Sequence, residues 1–118
     1  MFGVLNNIKK IIMEKVIRDW KVAVLVSKWY GAGWYTWSKD YEELLFHPKL
    51  VEMVESWNRN NITEEWVKEN LWIKKDICLL WANWLEIEWI EQGSRFIIDE
   101  YDWYESIKMN YDKDIITA

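Results

Sequence analysis

Leu85, Ile87 and Trp89 alternate with Glu86 and Glu88. A period of two sends the apolar side chains to one face of a strand and the carboxylates to the other. Such a strand belongs to a sheet with one face in water, which antiparallel sheets tolerate and buried parallel sheets do not. Companion strands are legible around it. Val22 to Ser27 is rich in β-branched residues, and Ile11 to Ile17 lies before it across Arg18, Asp19, Trp20 and Lys21, which reads as a hairpin. A helix through Leu5, Ile8, Ile12 and Val16 competes for the first of those strands. Further on, Ile77 to Trp81 is a short apolar run, and Arg95 to Tyr101 follows Leu85 to Ile90 across Glu91, Gln92, Gly93 and Ser94, which reads as a second hairpin turning at Gly93. A last short strand falls near Ile115 and Ile116.

Helix signals lie between these β-rich regions. Asp40 can cap a turn through Leu45. Pro48 suits a first helical turn and opens a helix to about Ser56, with Leu50, Val51 and Val54 on one face. Thr63, with Glu64 and Glu65 behind it, starts a helix through Leu71. The expected fold class is therefore α+β: an antiparallel sheet of about four to five strands with two or three short helices inserted after the second strand. The chain of 118 residues reads as one domain, residues 1–118, with 1–20 either an N-terminal extension or a hairpin strand.

Charge and cysteine content narrow the function classes. A net charge of −5 argues against binding duplex nucleic acid, which gains affinity from basic groups placed on phosphates. No run approaches the roughly 20 apolar residues of a membrane-spanning helix. The lone Cys78 has no partner for an internal disulfide, so the expected compartment is the cytoplasm.

Eleven Trp stand against four Gly, where ordinary usage gives about eight Gly at this length. Their placement is odder than their number. Trp20, Trp84 and Trp103 each follow Asp or Asn between extended runs, where Asp-Gly or Asn-Gly makes a tight turn. Trp57 and Trp72 fall just past the ends of the two clearest helices, where Gly takes the left-handed cap. The expectation is that several of these Trp stand for Gly, through UGA codons that the native genome reads as glycine.

The segment Lys28 to Ser38, KWYGAGWYTWS, concentrates aromatic rings and two glycines after a strand, where loops carry function on a rigid frame. Tyr30-Gly31-Ala32-Gly33-Trp34-Tyr35-Thr36-Trp37 and Glu100-Tyr101-Asp102-Trp103-Tyr104-Glu105 resemble the YGAGWxTW and EYDGxE motifs of small uncharacterised phage-encoded proteins, with Trp103 in the glycine place of the second. The resemblance covers roughly residues 22 to 107. It implies a phage or mobile-DNA context and no particular activity.

Candidate ligand-binding residues are Lys28, Tyr30, Gly31, Gly33, Trp34, Trp37, Asp102 and Glu105, because aromatic faces stack bases and a cation meets phosphate. The acidic cluster Asp99, Glu100, Asp102 and Glu105 is the alternative, a metal-assisted hydrolase site. Its spacing matches no calcium loop, and a solvated acidic edge explains it more simply. His47 and Cys78, the sole residues of their kinds, read as structural. The expected function is a non-enzymatic accessory protein without cofactor, metal or catalytic residue, one form being a nucleotide-signal sponge. Its candidate partners are a small molecule, a host protein or a second copy of the chain. An interaction module without a small ligand is a further alternative.

Overall fold

The computed structural model describes residues 14–29, 33–73, 82–102, 104–109 and 116–118. Among the described residues, two three-stranded antiparallel sheets share one hydrophobic core with three helices. The first sheet has β2 (Lys21–Ser27) between the two-residue β1 (Ile17–Arg18) and β3 (Leu85–Glu91). In the second, β4 (Arg95–Tyr101) lies between β5 (Tyr104–Met109) and β6 (Ile116–Thr117). The helices α1 (Glu43–Phe46), α2 (Pro48–Glu55) and α3 (Glu64–Leu71) fall between β2 and β3 in the chain.

Strand β2 is the centre of the first sheet because its sequence permits nothing else. Val22, Ala23, Val24, Leu25 and Val26 are all 0 % exposed, so both faces of the strand are covered. It pairs with β3 from Lys21↔Glu91 to Ser27↔Leu85. Leu85 is buried and Glu86 exposed, as alternation requires, but Ile87, Glu88, Trp89 and Ile90 are all half-buried. Leu44, Leu45 and Phe46 of α1 and Leu50, Val51 and Val54 of α2 join the same core. Phe46 meets Phe96 of β4 edge to face, with centroids 6.4 Å apart, so the core reaches the second sheet.

Antiparallel sheets and short helices appear as the sequence implied, but the strands are arranged differently. The turn at Gly93 does not join a hairpin. Gly93 has φ +86 and Ser94 N–H donates to the Glu91 carbonyl, yet β3 pairs only with β2 and β4 turns away into the other sheet. Two other segments hold this corner: Gln92 N–H donates to the Trp20 carbonyl, and the Gly93 amide and Ser94 carbonyl bond to the main chain of Ala118. Strand β5, which the sequence reading passed over, pairs with β4 from Phe96↔Met109 to Tyr101↔Tyr104. The single sheet of four to five strands is thus two sheets with six strands among the described residues. The first hairpin is also shorter than expected: β1 covers only Ile17–Arg18, and residues 1–13 lie outside the described region. So do the apolar run at Ile77 to Trp81 and, of the last strand, Ile115.

Helix starts follow the chemistry of their caps, with one correction. The Thr63 side chain accepts from Trp66 N–H at 3.1 Å and begins α3. Asp40 does not cap α1, which begins three residues later without a side-chain cap. His47 caps α2 instead, its Nδ1 accepting from Lys49 N–H at 3.1 Å ahead of Pro48 at the first helical position. Among the described residues no helix is long and apolar enough to cross a membrane.

The His47 cap requires a neutral imidazole. Burial first, and then the nearby Lys49, push its pKa below the ordinary value of 6.5, against a smaller upward pull from Glu14. The unfolded chain therefore takes up a proton more readily than the folded one, and stability decreases as pH falls through about 6.5. His47→Asn retains a capping acceptor that does not titrate. Urea unfolding of the two proteins between about pH 7.5 and about pH 5, on either side of that value, should show the loss in the parent and a shallower one in the variant.

Candidate functional site

The end of β2, the aromatic loop and β5 meet at one carboxylate. Glu105 lies on β5, directly opposite Glu100 of β4, and is 0 % exposed. Its Oε1 accepts from Ser27 N–H at 2.8 Å. Its Oε2 accepts from Trp34 N–H at 3.0 Å, from Thr36 N–H at 2.8 Å and from Thr36 Oγ1 at 2.9 Å. Three backbone amides and a hydroxyl thus converge on one buried side chain. Each is a charge-assisted bond, stronger than its neutral counterpart. The loop cannot make these bonds to itself: residues 35–37 form a single 3-10 turn, too short to satisfy its own leading amides.

Two of the loop's aromatic rings, those of Trp34 and Tyr35, face inward, and Trp29 is exposed. Trp34 is 0 % exposed and its Nε1 donates to the Leu44 carbonyl at 2.7 Å, tying the loop to α1. Tyr35 is nearly buried and its hydroxyl donates to the Lys39 carbonyl at 3.1 Å. Gly33 is buried with φ +77, so the chain enters this turn through the left-handed region. Among the residues nominated as ligand contacts, Trp34 and Glu105 are therefore parts of the frame, with no surface open to a ligand. Tyr30 and Gly31 lie outside the described residues, as does the side chain of Trp37. Asp102 is exposed with φ +48, in a two-residue turn set by the Tyr101↔Tyr104 pair. Lys28 is half-buried, paired with Glu88, with its ammonium 5.5 Å from the centre of the Tyr104 ring.

The acidic cluster is divided. Asp99, Glu100 and Asp102 are exposed, whereas Glu105 is turned into the loop and committed to its amides. Among the described residues no three His, Cys, Asp or Glu side chains are grouped closely enough to hold a metal ion.

A cleft of about 350 Å³ opens beside Lys28, lined by Arg59, Asn60, Asn83, Leu85 and Glu86, with Trp57 and Trp84 on its walls. The Arg59 guanidinium is fixed there: its Nε donates to the Leu85 carbonyl at 2.7 Å and Nη1 to the Val54 carbonyl at 3.3 Å. Trp84 stacks on Trp29, centroids 4.4 Å apart and planes within 13°. The Lys28 amide donates to the Trp84 carbonyl, which holds the base of the aromatic loop against this wall. Of the residues lining the cleft, only Lys28 was nominated from sequence. Arg59 and Asn60 sit in the polar run Asn58 to Asn61, which reads as an ordinary solvated connection until folding brings Asn83 opposite it.

No family model, curated protein or solved structure matches the chain.

Replacing Glu105 separates its roles. Glu105→Ala leaves three amides and a hydroxyl without their acceptor and should cost about 3–5 kcal/mol. Glu105→Gln can still present an oxygen to Trp34 and Thr36 but opposes the Ser27 amide with a second donor, for a smaller loss of about 2 kcal/mol. Chemical denaturation of the three proteins should place Gln between the parent and Ala.

Proposed function

We propose that this chain is a non-enzymatic accessory protein that binds a small nucleotide-like ligand in the cleft beside Lys28. The observation that carries the reading is the convergence there of two cations, Lys28, which an anion would have to share with Glu88, and Arg59, with two side-chain amides, Asn60 and Asn83, beside Glu86. A guanidinium and an ammonium meet phosphate oxygens, and a carboxamide offers both donor and acceptor to the edge of a base. The volume is at the lower end of the range of small-molecule sites. Arg59 is already held by two carbonyls, so little side-chain freedom is lost when it meets an anion. Trp57 and Trp84 wall the cleft, and Lys28, Arg59, Asn60 and Asn83 supply its positive charges and amides.

The aromatic loop contributes Lys28 to the cleft, and farther along it Trp34 is anchored by Glu105 and the Leu44 carbonyl. The YGAGWxTW and EYDGxE resemblance suggests a phage or mobile-DNA setting, in which sequestering a nucleotide signal would be of use to the element that encodes the protein. A cytoplasmic location accords with that reading. The hydrolase alternative is weakened by the commitment of Glu105 to backbone amides.

A ligand that binds only the folded state raises its unfolding midpoint, by the equivalent of about 2.7 kcal/mol at a hundredfold excess over Kd. Mononucleotides and cyclic dinucleotides should be tested in a thermal scan with and without chelator. The expected result is a shift with at least one nucleotide that survives chelator and is abolished by Lys28→Met. Binding of a host protein with no nucleotide shift would favour the interaction-module alternative.

A further inference from the structure

Among the described residues the non-glycine positions with positive φ are Asp19, Trp20, Trp57, Trp72 and Asp102. Aspartate tolerates this region because its short side chain bonds locally, whereas a bulky residue there is an outlier. Three further observations set the three tryptophans apart.

First, each sits at a position that a known motif reserves for glycine. Asp19 and Trp20, with φ +50 and +65, form the two-residue loop between Arg18 and Lys21, the type I′ pattern in which Asp-Gly is favoured. At the end of α2, Trp57 N–H donates to the Val54 carbonyl and Asn58 N–H to the Met53 carbonyl. Those are the paired bonds of a Schellman motif, whose left-handed residue is Trp57 at φ +63. Trp72 follows α3 with φ +58 and ψ +30, the left-handed cap itself. Second, their side chains are in water, 80 %, 84 % and 81 % exposed, so burial does not offset the strained backbone. Arg59, 5.2 Å from the centre of the Trp57 ring, makes only a surface contact with it. Third, tryptophans with a packing role avoid this region: Trp34 is fully buried, and Trp66 and Trp89 pack against the core, all three without positive φ.

We propose that positions 20, 57 and 72 are glycine in the native protein, encoded by UGA codons that its own translation system reads as glycine and that a tryptophan-reading table converts to Trp. The cell that makes this protein then supplies a glycine-charged tRNA that pairs with UGA. Trp84 does not join this group on backbone grounds, since it lacks positive φ and stacks on Trp29. Trp103 lies outside the described residues.

The gene and the folded protein test this independently. The codons should divide within the one chain, UGA at 20, 57 and 72 and UGG at 34, 66 and 89; UGG at 20, 57 and 72 overturns the proposal. For the folded protein, Trp20→Gly, Trp57→Gly and Trp72→Gly should each raise the folding equilibrium constant roughly five- to thirtyfold, whereas the matching Ala variants, which keep a Cβ in the left-handed region, should not. Gly and Ala variants of equal stability at all three positions would remove the backbone argument. Trp57→Gly also removes one wall of the cleft, but the codons are read without the nucleotide scan, so the two proposals fail separately.

Discussion

The Lys28 side of the cleft depends on one buried carboxylate. Glu105 takes the amides of Ser27, Trp34 and Thr36, and in doing so fixes the end of the central strand, the entry of the aromatic loop and the second sheet relative to one another. A buried carboxylate is costly unless its lone pairs are used, and here hydrogen bonds reach both oxygens. The arrangement therefore discriminates strongly between one loop conformation and any other: each amide drawn away leaves both itself and the charge undersatisfied. Trp34 adds to this by filling the core beneath and bonding the Leu44 carbonyl, so α1 is tied to the same point.

Binding surfaces benefit from frames of this kind. Lys28 follows Ser27 directly, and its backbone amide bonds the Trp84 carbonyl across the cleft wall. Arg59 reaches the same wall from the far side, bonded to Leu85. The cations that the functional reading invokes are thus presented by chain segments already held in place, which reduces the entropy lost on meeting a ligand.

How much of this could be read from the sequence depends on the distance over which each signal acts. The alternation in β3, the apolar run of β2, Pro48 at the start of α2 and the Thr63 cap are local, and their elements appear within a residue or two of the expected bounds. The Gly93 turn was legible as a turn, but its flanking strands belong to different sheets, because Trp20 and Ala118 take the bonds at that corner. Strand β5 escaped notice because Glu105 breaks its pattern: a carboxylate facing inward reads as an outward one until its donors are known, and the earliest of them lies 78 residues away. The same distance hid the site. Glu105 and Trp34 were nominated for a ligand on residue type, and folding spends both on the frame, while Arg59, Asn60 and Asn83 became neighbours only through tertiary contact. Tryptophans at turn positions were conspicuous at once, since glycine-specific geometry is itself a local signal.

Amide hydrogen exchange at Trp34 and Thr36 tests the central claim most directly. These amides sit in a loop with no sheet or helix ladder to protect them, so slow exchange there can come only from the carboxylate and the burial it maintains. The account predicts that both exchange as slowly as the amides of β2, and that in Glu105→Gln their protection falls further than that of β2. Rapid exchange of Trp34 and Thr36 in the parent protein would contradict it, and with it the idea that Glu105 is what organises this end of the fold.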